Sequence, residues 1–337
     1  MAADALSDLL KTVRLTGAAF FEIVAQGPWA IASPSRELML PKILPGADHL
    51  MAYHVVTAGR CFGTVAGGQA VVLEAGEVIV FTRGQPHIMS SDPDMRADPP
   101  MPDVLEVAAA GEKPFCINYG AGPDATRLVC GYLACDSGPF NPLLETLPPV
   151  IKAGDPRNDG GGWIGNFIRF AITETADKRA GSESVLTKLS ELMFIDVVRR
   201  YIATLPPGQS GWLAGLRDPF VGKVLSLMHA KPAHGWTIEE LARQAGMSRS
   251  VLAERFMDLV GIPPMHYLAK WRMQLASELL AGSSANLASI AADIGYESEA
   301  AFSRAFKKMV GVSPSIWRRS LAPNPIAAKG GVRPIDW

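Results

Sequence analysis

Two stretches of the chain, about 50 residues apart, carry the same order of polar, apolar, glycine and proline positions. The first runs from Gly246 to Pro264 and the second from Gly295 to Pro314. The corresponding pairs are Ser248 with Ser298, Leu252 with Phe302, Phe256 with Phe306, Val260 with Val310, Gly261 with Gly311, and Pro264 with Pro314. A repeat of this length that occurs only twice predicts a duplicated supersecondary unit and not a solenoid.

Each copy predicts two short helices joined by a tight turn. In the first copy, Thr237 and Glu240 form a capping box that starts a helix. Gly246 then supplies a turn residue that adopts positive φ readily, and Ser248 caps the second helix. This order is typical of a helix-turn-helix, although a helical bundle without a ligand would share it. The outer side of the second copy favours a close partner because its residues are small or polar, namely Glu299, Ala300, Ser303, Arg304 and Lys307.

The segment between the two copies predicts one long helix. Residues Pro264–Ala281 contain no helix breaker after the first position, where a helix tolerates proline. About 17 residues would span roughly 25 Å, which would hold two recognition helices near one turn of B-DNA apart. We expect its large apolar side chains to form a core shared by both copies and not to stack on bases: Tyr267, Leu268, Trp271, Leu275 and Leu279.

The first part of the chain predicts a different secondary structure. Residues 20–135 contain short β-branched runs bounded by Gly, Pro or Asp, which predict an antiparallel sandwich or barrel. Residues 92–102 are polar and rich in proline, so they predict an exposed, mobile loop. Helical periodicity begins near residue 162 and continues in a broad apolar helix over 184–205. Residues 205–211 are rich in proline and glycine and continue neither the strand nor the helix pattern, so we place the domain boundary there.

Composition limits the class of protein. A chain of 337 residues, 48% of them hydrophobic, suggests two domains. The longest apolar runs are too short for a membrane span, the N-terminus does not resemble a secretory signal, and four cysteines make no disulfide framework, so we expect a cytoplasmic protein. Residues 1–216 hold 17 Lys and Arg against 23 Asp and Glu, a balance of −6, whereas residues 217–320 hold 13 against 9, a balance of +4. This asymmetry favours contact of the C-terminal part alone with a polyanion.

Residues 218–320 resemble the DNA-binding domain of the AraC family of bacterial transcription regulators. The resemblance is carried by the two helix-turn-helix units, the long joining helix and the closing segment Ile290–Arg319. It implies a first recognition helix over 248–257 and a second over 298–308. The residues that it places towards DNA are Arg249, Ser250, Ala253, Glu254, Glu299, Ala300, Ser303, Arg304 and Lys307. Glu254 departs from the basic or amide residue that is common at this position in the family. The resemblance does not predict the operator sequence.

Residues 5–150 resemble the cupin-like sensor domain found on some AraC-type regulators. The segment Gly76–Ser90 matches the second cupin motif, whereas His49–Cys61 matches the first motif poorly. Catalytic cupins hold a metal with three histidines and a carboxylate. Here His87 remains, His49 and His54 are only candidates, and Cys130 could lie near in space, so the metal question stays open. The resemblance favours a pocket for a small effector, without a cofactor, lined by Tyr53, Cys61, Phe81, His87 and Cys116.

The sequence therefore predicts an α+β multidomain protein with a cupin-like β-barrel and an all-α double helix-turn-helix domain. The expected domains are 1–155 for effector sensing, 160–205 for a helical linker and dimerisation segment, 218–320 for DNA binding, and 321–337 for a tail. The expected function is sequence-specific, effector-controlled transcription regulation, and the alternative is a metal-dependent cupin enzyme with a helical appendage. Whether the chain activates or represses stays open.

The expected partners are double-stranded DNA in two successive major grooves, a small-molecule effector and a second copy of the chain, with no membrane. Contact with RNA polymerase is left open. The homodimer rests on the breadth of the apolar stripe over 162–205, since exposed apolar patches mark interfaces. Its residues include Phe167, Phe170, Leu192, Phe194 and Val198.

Overall fold

The computed structural model describes residues 4–13, 15–44, 47–97, 115–123, 125–135, 138–154, 166–167, 170–171, 173–174, 180–206 and 208–321. The chain forms two compact units. We call the first the strand unit, which comprises Val13–Ser137 and Pro142–Gln209. We call the second the helical unit, which comprises Met1–Thr12, Gly138–Asn141 and Ser210–Trp337.

The strand unit contains ten strands in the described residues. They are β1 (Thr16–Gln26), β2 (Ala30–Ser33), β3 (His49–Ala58), β4 (Arg60–Val65), β5 (Val71–Glu74), β6 (Glu77–Phe81), β7 (His87–Ser90), β8 (Phe115–Gly120), β9 (Ala125–Cys135) and β10 (Val150–Gly154). Six form one sheet in the order β10-β6-β3-β9-β1-β8, and four form a second sheet in the order β2-β7-β4-β5. All pairings are antiparallel except that of β1 with β8.

The predicted barrel is wrong in one respect, because the two sheets do not close into one. The ladder of the larger sheet ends at β10 and β8, and that of the smaller sheet ends at β2 and β5. The sheets pack face to face on one apolar core, to which β1, β3, β6 and β9 contribute from one side and β4, β5 and β7 from the other. Gly63 on β4 permits close packing, since a Cβ there would lie 2.7 Å from Cδ1 of Ile79.

Three helices complete the strand unit: α2 (Arg36–Ile43), α3 (Pro142–Thr146) and α4 (Ser182–Thr204). The long helix α4 confirms the periodicity read over 184–205, and it packs mainly on β1. It approaches closely because β1 has Gly17 at the contact, where a Cβ would lie 2.6 Å from the carbonyl oxygen of Thr187. Most of the apolar residues read over 163–172, and residues 98–102 of the predicted loop, lie outside the described residues.

The helical unit contains nine helices in the described part of the chain. They are α1 (Ala5–Thr12), α5 (Trp212–Arg217), α6 (Val221–Ala230), α7 (Ile238–Ala245), α8 (Arg249–Val260), α9 (Pro264–Gly282), α10 (Leu287–Asp293), α11 (Glu299–Val310) and α12 (Pro314–Leu321). The joining helix α9 has 19 residues, with Pro264 in its first turn. It spans about 28 Å at 1.5 Å per residue.

Two segments from the N-terminal half of the chain belong to the helical unit. Helix α1 packs on α6 and α9 because it must bury its apolar face, in which Leu9 is fully buried. In the segment Gly138–Asn141, the Phe140 amide donates a hydrogen bond to Oε1 of Gln274, and the Phe140 ring meets Tyr267 edge to face. The sequence analysis had placed both segments in the sensing domain, because neither contains a pattern that indicates which unit it packs on.

The core of the helical unit follows the predicted repeat. The side chains of Leu252, Phe256, Phe302 and Phe306 are fully buried. The apolar side chains of α9 lie between the two copies as expected, with Tyr267, Leu268 and Trp271 buried and with Leu275 and Leu279 packed against the cluster around Phe302 and Phe306. No helix within the described ranges is long and apolar enough to cross a bilayer.

Candidate nucleic-acid interface and effector site

The sequence-encoded caps position both candidate recognition helices. The Ser248 hydroxyl accepts a hydrogen bond from the Val251 amide at the start of α8, and the Ser298 hydroxyl accepts one from the Ala301 amide at the start of α11. The preceding turns contain Gly246 and Gly295, which have φ values of +73° and +84°. These caps fix the first turn of each helix, and so they set which side chains point outward.

The residues that the resemblance places towards DNA lie on the outer side of α8 and α11. Arg249, Ser250, Glu254, Glu299, Ala300, Arg304 and Lys307 are exposed, and Ala253 and Ser303 are half-buried. Within each helix they recur at spacings of three and four residues, so they share one face. The opposite face of each helix carries the buried phenylalanines. This arrangement leaves a polar face on each helix free of the core.

The cations of the two helices differ in their partners. Arg249 Nη1 lies 3.0 Å from Oε1 of Glu239 on α7, and Arg255 Nε lies 2.9 Å from Oδ2 of Asp218. By contrast, Arg304 and Lys307 on α11 form no ion pair with any side chain that the structure describes. Exposed ion pairs are weak, so these pairs partly neutralise the two α8 arginines without removing them from solvent.

A chain of polar side chains lies in the apolar interior of the strand unit. His54 on β3 uses both of its ring nitrogens: Nδ1 lies 2.8 Å from Sγ of Cys130, and Nε2 lies 2.8 Å from Nε2 of His87. Nδ1 of His87 lies 3.2 Å from the carbonyl oxygen of Gln85. We call Cys130, His54 and His87 the polar relay. The Phe81 ring stacks on His87 with centroids 3.7 Å apart.

The direction of every hydrogen bond in the polar relay follows from its carbonyl end. The Gln85 carbonyl accepts only, so His87 Nδ1 donates to it, and His87 Nε2 is the acceptor of the neutral ring. His54 Nε2 then donates to His87, and His54 Nδ1 accepts from the Cys130 thiol. One set of tautomers thus satisfies all three side chains without a charge.

Burial favours this uncharged form. Desolvation lowers the pKa of His87 to about 4 and that of His54 well below its usual value of 6.5. The same effect raises the pKa of the Cys130 thiol well above 9.0. All three shifts disfavour the charged species, because an ion transferred into an apolar core loses its hydration. The polar relay is neutral at physiological pH.

The structure brings together three of the five residues predicted to line an effector pocket. Cys61, Phe81 and His87 are buried in or beside the core between the sheets. Tyr53 lies on the other face of β3, where its hydroxyl donates to Oγ of Ser190 on α4, 2.6 Å away. Cys116 is exposed on the edge strand β8.

The alternation of side chains between the two faces of β3 could have indicated that Tyr53 faces away from the core, but the sequence analysis did not use it. Ala52, His54 and Val56 share the core-facing side, so Tyr53 between them faces the other way. His54 and Cys130 had been considered only as metal ligands. They are paired partners in the β3–β9 register, which places their side chains next to each other.

The polar relay does not fit a metal site. Both ring nitrogens of His54 are engaged with different partners, and His49, the third histidine considered, bonds to the carbonyl oxygen of Thr82. Within the described ranges, no group of three or more His, Cys, Asp or Glu side chains is placed to hold a metal ion.

Two families match the chain, one for each part. The Cupin family matches residues 4–203, and the Helix-turn-helix domain family matches residues 241–320. A putative AraC-like transcription regulator from Streptomyces antibioticus is 33% identical over 323 residues, which cover 95% of this chain and all of the relative. The regulator AlkR from Acinetobacter baylyi is 29% identical, over 94% of this chain and 99% of its own length.

Solved structures are similar to part of the chain. The DNA-binding domain of AdpA, solved in complex with a target DNA, is 27% identical and covers 34% of this chain and 99% of its own, with a TM-score of 0.31. The relatives that span nearly the whole chain are named transcription regulators, which removes the enzyme alternative. The chain belongs to the AraC family of DNA-binding transcription regulators, with an N-terminal cupin domain and a C-terminal helix-turn-helix domain.

Proposed function

We propose that this regulator binds specific DNA sites under the control of a small effector held between the sheets of its cupin domain. The observation that carries the effector site is the polar relay, three titratable side chains inside an otherwise apolar core. Directional hydrogen bonds distinguish these side chains from the apolar residues around them, so an effector that replaces one bond of the relay would gain a specific partner there. Because its surroundings are apolar and its members neutral, the effector is an uncharged molecule.

The experiment uses the full chain. Genome-wide mapping of bound DNA identifies a site, and uncharged small molecules are then screened for a change in melting temperature and in affinity for that site. We expect a hit to act on the wild type and on His49→Gln, but not on His87→Ala. His49 is the matched control, since it is also a buried histidine of the strand unit but bonds to the Thr82 carbonyl. A hit that acts equally on His87→Ala would place the effector elsewhere.

On DNA, α8 and α11 would occupy two successive major grooves. The joining helix supports this, because its length of about 28 Å approaches the 34 Å of one turn of B-DNA. The residues proposed to face the bases and phosphates are Arg249, Ser250, Ala253, Glu254, Glu299, Ala300, Ser303, Arg304 and Lys307. We expect Arg304→Ala to weaken binding and relax the preference at one base pair by about 1–3 kcal/mol. An equal loss on all sequences would make Arg304 a phosphate contact instead.

The chain would act as a homodimer in the cytoplasm, and a two-fold axis would present four recognition helices to paired sites. Of the five apolar residues predicted for the interface, Phe167, Phe194 and Val198 are buried within the strand unit, whereas Phe170 and Leu192 are each 51% exposed. These two exposed apolar side chains support an interface within residues 162–205. Light scattering should give twice the chain mass for the wild type and a lower mass for Leu192→Glu. A monomeric wild type would overturn the dimer.

A further inference from the structure

The two recognition helices match in position but not in charge. Each residue of α8 corresponds to the α11 residue numbered 50 higher, as the shared caps and buried phenylalanines show. Three exposed positions are acidic or apolar on α8 and basic on α11: Glu254, Met257 and Asp258 stand where α11 has Arg304, Lys307 and Lys308. Over these three positions α8 carries two negative charges and α11 carries three positive ones. The first position differs in the opposite sense, since Arg249 stands where α11 has Glu299.

The neighbours of α8 increase the difference. Its own cations, Arg249 and Arg255, are held by Glu239 and Asp218. Its free charges are therefore the carboxylates of Glu254 and Asp258, which form no ion pair with any residue that the structure describes. The two arginines and two carboxylates of α8 sum to zero, whereas the three cations and one carboxylate of α11 sum to +2, so α11 attracts DNA phosphates more strongly.

We propose that, in the docking on DNA proposed above, the two helices contribute differently: α11 supplies most of the electrostatic affinity, and α8 excludes wrong sequences. A carboxylate in the major groove is tolerated where a cytosine N4 amino group donates to it, and elsewhere it stays unpaired among phosphates. The unpaired Glu254 carboxylate thus weakens binding to wrong sites by more than its hydrogen bond to cytosine strengthens binding to the right site. This inference goes beyond effector control and does not depend on it.

Met257 is the second selecting residue. It lies three positions after Glu254 on the same face of α8, and its apolar side chain is 44% exposed. The major groove offers one apolar feature to such a side chain, the methyl group of thymine. The half-site of α8 therefore contains a cytosine and a thymine that these two residues read.

The first test measures the dissociation constant of the full chain for its mapped site over a salt series. We expect Lys307→Gln with Lys308→Gln to reduce the slope of log K against log salt concentration by about 1–2, since each neutralised phosphate contributes about 0.9. On α8, Arg255→Gln removes a cation that is paired with Asp218, and it should change the slope by less than about 0.5. Equal changes in the two variants, or a larger change in the α8 variant, would overturn the proposal.

The second test measures selectivity. Glu254→Gln should tighten binding to random-sequence DNA while it weakens the preference for cytosine at one position by about tenfold. Asp293→Asn removes the same charge from α10, outside both recognition helices, and should leave that preference intact. Met257→Lys introduces the residue that α11 has at the corresponding position, Lys307. This variant should bind all DNA more tightly and lose the preference for thymine. A Glu254→Gln variant that loses affinity equally for random and specific DNA would overturn the role of α8.

Discussion

The two turn glycines offer a sharp test of the repeat, because they match in the sequence but not in their surroundings. Gly246 and Gly295 both have positive φ, so alanine at either position costs about 1 kcal/mol in backbone strain. A Cβ on Gly246 would meet no atom within 4 Å. A Cβ on Gly295 would lie 2.5 Å from the carbonyl oxygen and 2.7 Å from Cα of Ala233, both of which are backbone atoms.

The loop around Ala233 cannot retreat easily, because Arg272 holds it on both sides. The Arg272 guanidinium donates to the carbonyl oxygen of Pro232 at 2.8 Å and to that of His234 at 2.9 Å. Overpacking against fixed neighbours adds about 1–3 kcal/mol to the strain. We therefore expect Gly295→Ala to cost about 2–4 kcal/mol in local stability and Gly246→Ala to cost about 1 kcal/mol.

Hydrogen–deuterium exchange measures the two costs locally, in peptides that cover residues 286–311 and 238–260. Gly295→Ala should accelerate exchange in the first peptide much more than Gly246→Ala does in the second. In an Arg272→Lys background the loop is freer, so the additional cost of Gly295→Ala should shrink. Equal acceleration by the two alanine variants would refute the steric reasoning, and an unchanged cost in the Arg272→Lys background would refute the role of Arg272.

Three further predictions concern the cores and thiols. Phe256→Ala or Phe306→Ala should each lower the free energy of unfolding by about 3–5 kcal/mol in denaturant titrations, and unchanged stability in both would contradict the buried repeat. Burial lowers the pKa of His87 to about 4 and that of His229 to about 3, so the unfolded chain binds protons first as the pH falls. Stability should hold above pH 6.5 and decrease below it by about 1.4 kcal/mol per pH unit for each group, with a shallower decrease in His87→Gln. A thiol reagent should modify Cys116 quickly and the three buried cysteines slowly, and a second fast thiol would contradict the placement of the others.

The helical unit could be predicted closely because its signals are local. The Ser248 and Ser298 caps each bond to an amide three residues away, and the turn glycines sit at fixed offsets from them. Interactions of this range operate in any chain that carries the pattern, whatever surrounds it. The repeat then predicted which face of each helix is buried, and Phe256 and Phe306 confirm it.

The polar relay could be predicted only in part, because its members are far apart in the chain. The sequence analysis grouped Phe81, His87 and Tyr53 as pocket residues. The structure places Phe81 and His87 in the interior between the sheets, whereas Tyr53 faces α4. The pairing of His54 with Cys130 spans 76 residues. It depends on the register of β3 and β9, and register depends on the whole sheet.

The sequence by itself determined the duplicated helix-turn-helix, the long joining helix and the family, since these follow from caps, turns and periodicities within a few residues. Only the tertiary structure decided that the two sheets stay open, that α1 packs in the helical unit, and that Glu239 and Asp218 hold the arginines of α8. Each of these depends on which apolar surface or opposite charge lies nearest in space. Local preferences do not specify that choice, because a buried face or an exposed charge is satisfied by any partner of suitable shape and sign.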